Sequence, residues 1–191
     1  MHFILASSSS IKLSLLVDMG YRPNRVIPHN IDQNFCKKEL PRDYIKRITL
    51  QKTLTIHQKF LNSIVLSTAT VISRGRLILK RPQTKDDACS FFKFLSGRRY
   101  SVLTGLCVIK EGKAVNKIIQ TKLKFKLLTD GEIQNLATFT QHHHYSNQYL
   151  LQGFSSACVS WISGHPSNII GFPIHEVYKM LHGLGLLQIL L

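Results

Sequence analysis

Four consecutive serines, Ser7 to Ser10, end a short apolar run at His2 to Ala6, and Lys12, Leu13, Leu15 and Leu16 follow at helical spacing. A polar loop that opens a helix can hold an anion, because unpaired backbone N–H groups and the helix dipole both favour negative charge. The same serines can act simply as a helix cap, so the stretch alone leaves both readings open. Three adjacent histidines, His142, His143 and His144, have donors for a weak metal site. Neighbouring side chains seldom converge on one ion, and no cysteine or carboxylate stands beside them, so they read as a solvated loop. The four cysteines, Cys36, Cys89, Cys107 and Cys158, show neither a metal-pair spacing nor a secreted disulfide pattern. Free thiols in a reducing cytosol, and hence a cytoplasmic protein, are the expectation.

The elements that must position these groups follow from periodicity. The run from His2 reads as strand, tight loop and helix, and Pro41 to Leu61 reads as a long helix with Ile45, Ile48, Leu54 and Ile56 on its apolar side. Ser63 to Ser73 is rich in β-branched residues and predicts a buried strand. Lys85 to Leu95 predicts a short helix ended by Gly97, and Tyr100 to Lys110 and Lys117 to Leu127 predict two strands joined by the Glu-Gly-Lys turn. A helix over Asp130 to Thr140, a strand over Val159 to Ile162, a turn over Gly164 to Ser167 and a closing helix over Ile174 to Leu181 complete the chain. Trp161 falls in a strand expected to be buried, so it is read as core and not as a stacking platform. Helices alternating with strands, plus one hairpin, predict an α/β protein with a mixed sheet.

Composition narrows the partners. At 191 residues, 44% hydrophobic and 18% charged, the chain has the makeup of one folded unit. Its 25 Lys and Arg outnumber 10 Asp and Glu, for a net charge of +15, which favours polyanions. The basic residues are dispersed, whereas a nucleic-acid arm concentrates them, so a nucleic acid ranks behind a nucleotide as the partner. The apolar tail LGLLQILL is far short of a membrane span, and MHFILASSSSIK lacks a basic region ahead of its apolar run, so neither an anchor nor a signal peptide is expected.

A set of stretches then fixes a resemblance: LASSSS followed by KLSLL, IPHNID, ELPRDYIKRITLQK, STATVI, RPQTKDDA, FLSGRRYSVLTGLCV, QTKLKF, QGFS and SNIIGFPIHEVYKML, in this order from residue 5 to about 181. Together they resemble the Maf family of nucleoside triphosphate pyrophosphatases. The resemblance implies a two-lobed α/β fold, an elongated mixed sheet flanked by helices with a central cleft, and one domain over residues 1–191. It also implies cleavage of nucleoside triphosphates to the monophosphate and pyrophosphate, with Mg²⁺ or Mn²⁺ as cofactor. Homodimerisation stays open.

The same alignment of motifs exposes departures. The family's Ala-Asp-Thr appears as Thr68, Ala69, Thr70, so the catalytic position carries a methyl group that can neither bind a metal nor accept a proton. General-base catalysis is typically worth ~10²- to 10⁴-fold. The Ser-Pro-Arg-Arg loop reads Ser9, Ser10, Ile11, Lys12, which keeps one point charge but no guanidinium fork. The family's Lys-Pro pair reads Arg81, Pro82, and its Lys-Ala-Gly reads Tyr145, Ser146, Asn147. By the resemblance, Ser7, Ser9, Lys12, Lys52, Thr70, Arg81 and Gln152 are the expected substrate-binding residues, beside Thr104 and Gly153. Glu39 is the expected metal ligand, with Asp32 as a second candidate. Three functions remain open: a pyrophosphatase of reduced activity, a nucleotide binder without turnover, and a nucleic-acid or partner-binding protein on the same scaffold.

Overall fold

A computed structural model describes residues 2–142 and 153–186. Its frame is a seven-stranded mixed sheet. Strand β1 (His2–Leu5) lies parallel between β2 (Arg25–Val26) and β3 (Ser63–Arg74). On its other side β3 runs antiparallel to β5 (Arg99–Lys110), which pairs with β6 (Lys113–Phe125), and β7 (Val159–Ser163) closes the far edge. The short β4 (Leu77–Leu79) folds back onto the end of β3. The β5–β6 turn works because Glu111 and Gly112 both adopt positive φ, 50° and 75°, the conformation whose twist matches a two-residue hairpin.

Strand alternation sends Val65, Ser67, Ala69 and Val71 of β3 to one face and Ile64, Leu66, Thr68, Thr70 and Ile72 to the other. On the first face lies α2 (Pro41–His57), which opens with proline in its first turn and packs Tyr44, Ile45 and Ile48 on Ala69, Val71 and Leu103. The approach is close enough that a Cβ at Gly105 would stand 2.9 Å from the Ile45 carbonyl oxygen and overlap the Thr49 hydroxyl. On the opposite face there are two cores. One joins α1 (Ser10–Asp18) and α6 (Ile174–Gly183) to β1 and the start of β3. The other joins α3 (Lys85–Leu95), α4 (Asp130–His142) and α5 (Phe154–Cys158) to the far ends of β3, β5 and β6. These are the two lobes.

The predicted helices and long strands are all present, with shifted ends. The long helix stops at His57, four residues before the expected Leu61, and the last hairpin strand begins at Lys113. Trp161 is a correction. It is 37% exposed, with the Arg99 guanidinium 4.7 Å from its ring centroid, because β7 is an edge strand that only one neighbour covers. Among the described residues no helix is long and apolar enough to cross a membrane.

Candidate functional site

The cleft is a gap in the sheet. Along one edge of β3, β1 pairs only as far as Leu5 with Leu66, and β4 takes up pairing only at Ile72 with Leu79. Residues 67 to 71 therefore have a free edge on that side, while on the other side β5 pairs with them without interruption. The edge-facing carbonyl of Leu66 accepts the Ala6 N–H at 2.8 Å, and that of Thr68 accepts the Lys12 ammonium at 3.4 Å. By the two-residue repeat of a strand, the N–H and C=O of Thr70 face the same gap. The cavity here is about 540 Å³, walled by α2, the β4 segment, Phe91 of α3 and the loop bearing Gln33 and Phe35.

Cations reach this gap from both faces of the sheet. Lys12, in the first turn of α1, comes from the two-core face, and Lys52, on α2, comes from the other. Lys52 is only 6% exposed and has neither an ion-pair partner nor a hydrogen-bond acceptor among the described residues. Burial pushes the Lys52 amine down to about 8. Burial, with the Lys52 charge added, pushes Lys12 down to about 7. Lys80 and Arg81 line the cavity from the β4 side. His29, in the loop after β2, feels the same field: burial, then the charges of Lys52 and Lys12, push its imidazole down to about 4. Nothing in the sequence singled His29 out beyond its place in the IPHNID stretch.

Beneath the gap a polar layer separates the two cores. The Thr68 hydroxyl donates to the Gly171 carbonyl at 2.9 Å, Thr70 and Thr104 share a 2.9 Å hydroxyl pair, and the Thr104 hydroxyl lies 3.1 Å from the Asn168 carbonyl. The buried Asn168 amide donates to the carbonyls of Val102 and Ile119 and to the Thr121 hydroxyl, at 3.1 to 3.3 Å. Gly171, at φ +85°, permits this fit, since a Cβ there would lie 2.7 Å from the Thr70 hydroxyl. The segment that follows the predicted turn over Gly164 to Ser167, at the start of the SNIIGFPIHEVYKML stretch, is thus the clamp that fixes Thr68 and Thr70.

The expected site residues separate into groups. Ser9, Lys12, Lys52, Ala69, Thr70 and Arg81 all line the cavity, and Ala69, 4% exposed, forms part of its floor on the α2 face. Ser7 is buried, its hydroxyl accepts the Ser9 N–H at 3.1 Å, and it shapes the loop without lining the cavity. Glu39 gives its two oxygens to Nε and Nη2 of Arg47, each at 2.7 Å, and one of them also accepts the Cys36 N–H. The Arg47 hydrogen bonds hold its carboxyl below the usual range. Asp32 is exposed and accepts the Asn34 N–H. Neither acid lines the cavity. His143, His144, Tyr145, Asn147 and Gln152 lie outside the described residues, as does the side chain of His142.

The donor set does not fit a divalent cofactor. Mg²⁺ and Mn²⁺ need oxygen ligands, carboxylates first among them. All ten Asp and Glu of the sequence fall within the described residues, and none lines this cavity. Among the described residues no group of three or more His, Cys, Asp or Glu could hold a metal. In place of acids the cavity has Lys12, Lys52, Lys80 and Arg81.

Comparison with known proteins places the geometry in a family. The family model described as Maf-like protein matches residues 2–184. A nucleoside triphosphate pyrophosphatase of Anaplasma marginale (strain Florida) is 36% identical over 181 residues, covering 94% of this chain and 92% of that protein. A dTTP/UTP pyrophosphatase of Caulobacter vibrioides is 33% identical, with 95% of each chain covered. A nucleoside triphosphate pyrophosphatase of Rickettsia rickettsii (strain Sheila Smith) is 35% identical, covering 95% of this chain and 87% of that protein.

Proposed function

This chain belongs to the Maf-like protein family, and from that premise we propose that it binds nucleoside triphosphates in the β3 gap, with pyrophosphatase turnover much reduced or lost. The relatives that match nearly the whole chain are nucleoside triphosphate pyrophosphatases, and the cleft retains the features that recognition of such a substrate needs. Lys12, Lys52 and Arg81 supply positive charge for a phosphate chain. The first turn of α1 and the Thr70 edge supply backbone donors. Phe35 and Tyr44, in edge-to-face contact at 4.6 Å, supply an aromatic wall for a base or sugar.

Hydrolysis asks for more than binding. A water attacking the α-phosphorus must lose a proton to a base held within hydrogen-bond reach. The observation that carries this reading is Ala69 on the cavity floor, on the Lys52 side, where a carboxylate would meet both the lysine and the phosphates. No carboxylate elsewhere in the cavity takes its place. Glu39 we read as the anchor of the loop over residues 32–40, through Arg47.

The test is pyrophosphate release from UTP, dTTP and CTP by the wild-type chain and by Ala69→Asp, with Mg²⁺ or Mn²⁺, read as phosphate after coupling to inorganic pyrophosphatase. The restored variant should be faster by at least ~10²-fold. Equal rates would show that position 69 is not where the base is missing.

A further inference from the structure

We infer that this cleft takes its polyphosphate ligand as the metal-free anion, with Lys12 and Lys52 supplying the positive charge that a divalent ion would otherwise supply. The inference rests on the nucleotide-binding reading above and deepens it by naming the ionic form of the ligand.

Charge balance in the cleft favours the metal-free form. None of the ten Asp and Glu lines the cavity, and three that lie close to its lining residues in sequence or by hydrogen bond are engaged elsewhere: Glu39 by Arg47 and the Cys36 N–H, Asp32 by the Asn34 N–H, and Asp87 by the Gln83 and Thr84 N–H groups. Lys52 is nine-tenths buried, opens into the cavity and pairs with no acid. A buried ammonium without a counter-charge is costly and is pushed toward its neutral form, and an anion from solvent would be the partner that keeps it charged. Lys12 approaches from the opposite face of β3, held on the Thr68 carbonyl, so the two amines bracket the free strand edge. A phosphate chain laid along that edge would give each lysine an oxygen, and Arg81 would meet it from the β4 side. A divalent cation in the same place would face two ammonium groups and find no carboxylate.

Proton linkage points the same way. The titratable groups electrostatically linked to Lys12 are Lys52 from α2 and His29 from the loop after β2, all three with their protonated forms disfavoured, and Lys80 and Arg81 share the cavity from the β4 side. A bound polyanion relieves that penalty, while a metal–phosphate complex of lower charge relieves less of it.

The experiment is isothermal titration calorimetry of the full chain with UTP and, separately, with sodium tripolyphosphate, each in EDTA and in excess Mg²⁺. Wild-type protein, Lys12→Gln, Lys52→Gln and Ala69→Asp are compared, with circular dichroism checking that each is folded. The expected result is binding in EDTA at least as tight as in Mg²⁺, and binding of tripolyphosphate by itself. Each lysine substitution should weaken binding about tenfold or more, as befits a lost charge-assisted contact. Ala69→Asp should reverse the preference, weakening the metal-free complex while leaving the Mg²⁺ complex intact, because its carboxylate pairs with the lysines and repels free phosphate. Binding seen only with Mg²⁺ would overturn the inference and leave nucleotide binding standing. Metal-free binding that neither lysine substitution weakens would also overturn it, since diffuse attraction to the +15 surface would then be the cause. No binding in either condition would overturn the inference together with the nucleotide-binding reading.

Discussion

The two sides of β3 at the cleft are built on opposite principles. Toward β5, the layer of Thr68, Thr70, Thr104, Thr121, Asn168 and Gly171 finds partners for its polar groups within the protein, apart from Asn168 Oδ1. Toward the gap, Lys12 and Lys52 have no carboxylate within reach. A satisfied buried layer fixes a shape, whereas an unbalanced one carries an electrostatic cost until something from solvent balances it. The layer that shapes the site is thus almost fully satisfied from within, while the gap it frames is cationic.

Breaking the supporting layer should give the largest change in stability. Gly171→Ala forces a Cβ to within 2.7 Å of the Thr70 hydroxyl at a backbone angle of φ +85°. A loss of about 2 to 4 kcal/mol in urea unfolding is expected, from strain together with broken hydroxyl bonds at Thr70. A change below about 0.5 kcal/mol would show that the layer adapts freely and does not fix the cleft.

Titrating the gap probes the cationic side of β3. Lys12 and Lys52 have folded pKa values of about 7 and about 8, below the ordinary value of 10.5, so between those limits the unfolded chain binds more protons. Stability of the free protein should therefore rise with pH from about 7 to about 8.5, the penalty being fully present below the folded values. Above pH 9 the buried Cys107 and Cys158 thiols, whose pKa values are raised, pull the other way. Thermal melts from pH 6.5 to 8.5 should show the rise, and saturating tripolyphosphate should flatten or reverse it. A flat profile in the free protein would mean that the lysines are solvated in solution.

The smallest effect belongs to Glu39. If its carboxylate serves only the loop, Glu39→Gln should cost about 1 kcal/mol, the scale of a partly exposed ion pair. It should leave the Mg²⁺ dependence of turnover and of nucleotide binding unchanged. Loss of metal response in this variant would return Glu39 to the cleft chemistry.

Much of this was readable in the sequence, and the part that was not has a common cause. β-Branched composition marked β3, the Glu-Gly-Lys turn marked its hairpin neighbours, and ordered motifs grouped Ser9, Lys12, Lys52, Thr70 and Arg81, all five of which line one cavity. Local patterns cannot show which strand stops pairing where. The gap exists because β1 ends at Leu5 and the three-residue β4 begins pairing only at Ile72, and neither two-residue β2 nor β4 has enough length for a period to register. Asn168 and Gly171 fell in the SNIIGFPIHEVYKML stretch with no structural role assigned, because their partners are 47 to 103 residues away in sequence. Trp161 looked like core because an edge strand and a central one can carry the same composition, and only the sheet order distinguishes them.

If one missing carboxylate separates binding from hydrolysis in this cleft, a single-turnover experiment isolates the step. Enzyme in excess over UTP, at saturating Mg²⁺, is quenched over time, and UMP is measured for the wild-type chain and for Ala69→Asp. Nearly complete binding is expected in both proteins, with a cleavage rate at least ~10²-fold higher in Ala69→Asp, the scale of a single general base. Equal cleavage rates, with UTP shown to be bound in both, would contradict it.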